Sequence, residues 1–203
     1  MIVWRSIADD LFFSGSVRYD RWSRKGVWLR VFEAVADDPD LEHLMVDGSI
    51  VRVHHAWRCA EKTQAQQGQG QSGGGLSTKI HAAVDALGNP VRLILTQGQT
   101  LEYTVAKALI CGLEAEYILT DKGHDSNDFI QAIHDNGALT VVQLRSHRRK
   151  KRYYDRNLYK ERNLVELFFQ RINKYRRIVT RYDRLAKNYN SMLILVSTLI
   201  WLD

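Results

Sequence analysis

The stretch that most constrains this chain is residues 77–99, "STKIHAAVDALGNPVRLILTQGQ". Two apolar runs, 78–86 and 90–96, flank "LGNP", whose Gly, Asn and Pro supply turn chemistry. The pattern predicts a β-hairpin. A further apolar run lies upstream in "HLMVDGSIVRVHH" (43–55), so three consecutive antiparallel strands are expected.

Downstream the pattern alternates. A helix is expected near 103–113, a strand in "EYILT", a helix near 125–136 and a strand in "LTVVQL". Two helices follow, near 157–178 and 184–201. Upstream, Trp28, Val31, Phe32 and Val35 recur at helical spacing and predict one amphipathic helix over 18–37, which "DDPD" ends. The order βββαβαβαα implies an α/β fold, with three antiparallel strands, then parallel strands, and helices on the sheet's faces. "AQQGQGQSGGG" (65–75) reads as part of a flexible loop spanning 54–76.

The 203 residues are 45% hydrophobic and 26% charged, a globular composition that excludes a disordered tail. Formal net charge is +6, and it is uneven. Residues 143–187 hold 16 Lys/Arg against 4 Asp/Glu, or +12, which leaves −6 for the remainder. Such asymmetry points to a polyanionic partner, and nucleic acid is the expected one. Within that segment "RSHRRKKRYYDR" (145–156) suits phosphate neutralisation through Arg145, Arg148, Arg149, Lys150, Lys151 and Arg152. A solvated charged face is the plainer alternative. Two isolated cysteines, Cys59 and Cys111, argue against a disulfide scaffold and for a reducing, cytoplasmic setting. "SMLILVSTLIWL" falls short of the roughly 20 residues a membrane span needs, so no membrane partner is expected. His54, His55, Cys59 and His81 lack a recognised zinc-ligand spacing.

Three carboxylates stand out. Asp47 interrupts "LMVDGSIV" where its neighbours are apolar; a buried charge there needs a cation or donors, although a hydrogen-bonded Asp would also fit. Asp121 ends "YILTD", and ligands of α/β sheets bind at the carboxyl ends of strands; the following Lys122-Gly123 suits a simple turn equally well. Glu166 shares one helical stripe with Tyr159, Arg162 and Asn173, where a surface Arg–Glu pair is the bland alternative. Together, two strand carboxylates and one helix carboxylate suit a pair of hard divalent cations, Mg²⁺ or Mn²⁺. Such a pair serves phosphoryl transfer, with Lys122 and Arg162 placed to contact phosphates.

The motifs "MVDGSIVRVH", "GGGLSTKIHAAVDALGNPVRLILTQGQ", "YILTDKGHDS" and "YKERNLVELFFQRI" resemble the DDE transposases of the insertion-sequence-five family, in order, over residues 18–202. The resemblance implies a ribonuclease-H-like fold over 39–203 preceded by a truncated helical segment, 1–38. It implies cleavage at the terminal inverted repeats of a mobile element and strand transfer into target DNA, by a homo-oligomer associated with the nucleoid. Asp47, Asp121 and Glu166 correspond to the DDE triad and its metal ligands. The family's last signature continues to Lys or Arg seven residues after the Glu; here Asn173 holds that place and Lys174 follows. His124 stands where Tyr is usual, and "GQTLEY" lacks the usual His-Asp after "GQ". These departures leave the three triad residues themselves in place. A stand-alone nuclease and a DNA-binding remnant acting as an inhibitor are the rival functions.

Overall fold

The computed structural model describes residues 16–143 and 154–203. Arg145, Arg148, Arg149, Lys150, Lys151 and Arg152 therefore lie outside the described residues.

Seven strands form one mixed sheet: β1 (His43–Val53), β2 (Gly70–Ser72), β3 (Gly75–Val84), β4 (Pro90–Gln97), β5 (Tyr117–Thr120), β6 (Leu139–Val142) and β7 (Thr180–Arg181). β1, β3 and β4 are antiparallel, whereas β5 and β6 extend the sheet in parallel from β1. This is the mixed sheet with flanking helices that the strand order implied, and it agrees with the ribonuclease-H-like fold that the resemblance implied. The other edge of β1 is divided. β5 pairs with it over His43–Val46 and β7 rejoins it at Arg52 and Val53, so residues 47–51 have no described strand neighbour on that edge. Asp47 is the first residue of the gap.

Side chains alternate across a strand, and β1 divides its own between two cores. Met45 and Val51 pack with Val165, Phe168, Phe169, Ile172, Tyr189 and Leu193. These belong to α6 (Asn163–Ile172) and α8 (Ala186–Trp201). Leu44 and Val46 face the opposite core, built on α4 (Glu102–Ile110) and α5 (Asn127–Asp135) through Ala106, Leu109, Phe129 and Ile133.

The helix expected over 18–37 is two helices, α1 (Ser16–Arg24) and α2 (Val27–Val35). Gly26 breaks it with φ +64, a left-handed conformation that glycine adopts without a Cβ clash. Trp28 and Phe32 of α2 pack on Ile194 of α8. The segment 54–76 carries short elements of its own: a 3-10 turn, the single-turn helix α3 (Glu61–Gln64) and β2. Buried Gln69 receives Cys59 N–H and donates to the Trp57 carbonyl, fastening the glycine-rich stretch. Arg181 is fully buried and donates to the carbonyls of Gln67, Asp183 and Arg184 and to Thr78 Oγ1. Part of the basic surplus of 143–187 is thus structural. The second long helix is also split: Leu158–Arg162 is a 3-10 turn, α6 follows, and α7 (Arg176–Val179) leads into β7.

Candidate active site

Asp47 lies one residue beyond the last parallel pair, Val46 with Thr120, and Asp121 lies one residue beyond the same pair on β5. The two aspartates thus occupy adjacent positions where the strands part. The alternation that aims Met45 and Val51 at α6 sends Asp47 the same way. Val165, Phe168, Phe169 and Ile172 bury one face of α6, and Glu166 borders that face.

Arg162 joins two of these carboxylates. Its Nη1 donates to Asp47 Oδ2 at 2.8 Å and its Nη2 donates to Glu166 Oε1. The expected single continuous helix carrying Tyr159, Arg162, Glu166 and Asn173 is corrected here: residues 158–162 form a 3-10 turn, three residues per turn, ahead of α6, although Tyr159, Arg162 and Glu166 remain together. Tyr159 lies beneath its guanidinium, 5.9 Å from ring centroid to Cζ, and its hydroxyl is 3.4 Å from Gln143 Oε1. Asn173 caps the far end of α6, and exposed Lys174 follows it, apart from the carboxylates. Lys122 is exposed on the 3-10 turn after β5.

Burial raises the pKa of Asp47; Gly48 N–H and Arg162 oppose the rise, while Asp121 and Glu102 add to it. Asp121 behaves oppositely. Burial pulls its pKa up, but a hydrogen bond and positive charge from His124, the Gly123 N–H and Arg162 outweigh that and bring it below the usual carboxylate range. Its Oδ1 accepts from Gly123 N–H at 2.8 Å and lies 2.9 Å from His124 Nδ1. Arg162 is held charged: burial works against it, and Asp47, Tyr159 and Glu166 more than compensate. Oxygen-rich donors short of positive charge fit the hard divalent cation that a DDE domain uses, and Arg162 already places a cation between Asp47 and Glu166.

Sequence reasoning missed the other side of Asp121. Glu102, at the start of α4, pairs with Lys79 Nζ at 2.7 Å. A Cβ on Gly123 would lie 2.8 Å from Glu102 Oε2 and 2.9 Å from Asp121 Oδ1, so the bare glycine lets the two carboxylates approach. His124 and Glu102, in the two motifs that depart from the family pattern, flank Asp121. Lys79 and His81 had a legible signal: both are polar residues inside the apolar run of β3. His81 is buried, and burial, with Lys79 and His124 nearby, lowers its pKa to about 4. Among the described residues, no helix is long and apolar enough to cross a membrane.

Comparison with known proteins agrees with this architecture. The family described as transposase DDE domain matches residues 38–201. A putative transposase for insertion sequence element IS6501 from Brucella ovis is 31% identical over 129 residues, which cover 63% of this chain and 99% of that relative. The chain belongs to the transposase DDE domain family.

Proposed function

We propose that this protein is a transposase of the insertion-sequence-five group, cutting the ends of its element and joining the freed 3′-OH to target DNA. Asp47, Asp121 and Glu166 are its catalytic carboxylates. The observation that carries this reading is the convergence of one strand carboxylate and one helix carboxylate on Arg162, where β1 and β5 part beside Asp121. The three acids would hold Mg²⁺ or Mn²⁺, two ions in all. When bound, these supply charge neutralisation at the phosphodiester and activation of the attacking and leaving oxygens.

The chain's own residues do the remainder. Asp47 is held by Arg162 and would serve as a ligand of the ion. The five fixed donors of Arg162 suit a DNA phosphate beside these acids. Lys122 at the rim and Tyr159 beside Arg162 hold the strand near the acids, Lys174 contacts it farther along, and the basic stretch 145–152 neutralises flanking phosphates. DNA is the partner in both steps, as element end and as target, with the protein acting as a homo-oligomer.

A labelled, pre-cut element end bearing a 3′-OH, mixed with supercoiled plasmid and Mg²⁺, tests the reading. A transposase joins the end to plasmid. Degradation without joining would identify a nuclease, and retention without either reaction would identify a binding remnant.

A further inference from the structure

The side of Asp121 away from Arg162 holds a second set of donors. Oxygens of Glu102 and Asp121 and a ring nitrogen of His124 lie within 4.8 Å of one another. Metal–ligand bonds of about 2.0–2.2 Å put neighbouring ligand atoms about 3–3.5 Å apart, so closure on an ion requires movement of about 1–2 Å at most. Acidic residues often cluster without binding anything, and Lys79 already offers Glu102 a partner.

The buried imidazoles supply independent evidence. His81 Nε2 lies 2.8 Å from Thr96 Oγ1, which also reaches the Gln97 carbonyl at 3.3 Å. With the ring proton on Nε2, His81 Nδ1 presents a lone pair, and that nitrogen is fully buried and without a hydrogen-bond partner. It is aimed into the same space. A Cβ on Gly48 would lie 3.3 Å from His81 Nδ1 and 3.4 Å from Glu102 Oε1. His124 is equally buried, and its Nε2 has no partner. A buried ring nitrogen without a partner is costly, and two lie here.

We infer that Glu102, Asp121 and His124 bind one divalent transition-metal ion, with imidazole nitrogen among its ligands and the His81 lone pair lining its outer side. The inference rests on the proposed role of Asp121, which this ion would share with the triad. On binding, Glu102 would exchange its Lys79 partner for the ion. A nitrogen ligand favours Mn²⁺ over Mg²⁺ at this position.

The test uses the full chain without DNA, titrated with Mn²⁺ and read by electron paramagnetic resonance with electron spin-echo modulation. Bound Mn²⁺ should show ¹⁴N coupling in the wild-type protein, and His124→Gln should abolish it. Glu102→Gln should weaken Mn²⁺ binding about tenfold or more. Lys79→Met, which frees Glu102, should bind Mn²⁺ as tightly as wild type or more so. No bound Mn²⁺ at millimolar concentration, no ¹⁴N coupling in the wild type, or coupling that survives His124→Gln would overturn the site. Equal weakening by Lys79→Met and Glu102→Gln would overturn it too, because the pair would then be only structural. The wild-type spectrum does not depend on any variant folding. It is also separate from DNA cleavage, so loss of the triad assignment and loss of this ion site are distinguishable.

Discussion

The two sides of Asp121 contain similar residues in different balance. Toward α6, two carboxylates share one arginine: Asp47, Glu166 and Arg162 sum to −1, and the arginine spans two elements far apart in sequence. Toward α4, Glu102 has its own lysine, and Asp121 has His124 and a backbone N–H. The first side is under-neutralised and its aspartate has a raised pKa; the second is well supplied with donors and its aspartate has a lowered one. One crevice thus pairs an acid whose charge burial disfavours with an acid whose charge its own donors support.

The largest change comes from removing the packing that positions the first side. Phe168→Ala on α6 deletes a fully buried ring and should cost about 3–5 kcal/mol in denaturant unfolding. Trp28→Ala, in the satellite cluster between α2 and α8, should lower stability while leaving the α6 side in place. Equal loss of DNA cleavage in both variants at a temperature where both remain folded would break the distinction.

The aspartates sharpen it further. Asp47 binds its proton more tightly when folded than when unfolded, so between the ordinary carboxylate pKa and its raised folded value stability falls as pH rises. Asp121 has a lowered folded pKa, so its contribution is present above the ordinary value and is lost as pH falls through the lowered one. Asp121→Asn should therefore destabilise the protein at pH 7 by about 1–3 kcal/mol, the worth of hydrogen bonds to a charged acceptor. Asp47→Asn should cost less, because Arg162 keeps Glu166. Urea unfolding of wild type and both variants from pH 3 to pH 8 reads the two opposite slopes as the wild-type-minus-variant differences.

The smallest effect on stability is expected at Gly123. In Gly123→Ala the new methyl meets the terminal oxygens of Glu102 and Asp121, flexible groups that can swing aside, so the cost should stay below about 1 kcal/mol. Divalent-cation binding should nevertheless weaken, because the two carboxylates are pushed apart. Unchanged Mn²⁺ affinity in this variant would detach Glu102 from the site.

The sheet and the side of the crevice built on periodic elements were legible in the sequence. The apolar run that Asp47 interrupts in "LMVDGSIV" and the abrupt end of "YILTD" placed Asp47 in a strand and Asp121 at the end of one, and helical spacing placed Glu166 beside an apolar face. What escaped depends on local winding or distant contact. The 3-10 turn at 158–162, which carries Arg162, looks helical to a periodicity argument. Gly26 was present in the sequence, but surrounding apolar spacing concealed the break between α1 and α2. β7 has only two residues, too few for any pattern. Glu102 comes near Asp121 because Gly123 has no side chain, a fact of three-dimensional approach that spacing along the chain does not encode.

The most direct measurement of the central claim is strand cleavage of a labelled element end as Mg²⁺ is titrated into wild-type protein and Glu166→Ala. The account predicts nicking by wild type only when Mg²⁺ is present, and none by Glu166→Ala, while both retain the DNA to a similar extent. Mg²⁺-dependent nicking by Glu166→Ala at the wild-type rate would contradict it.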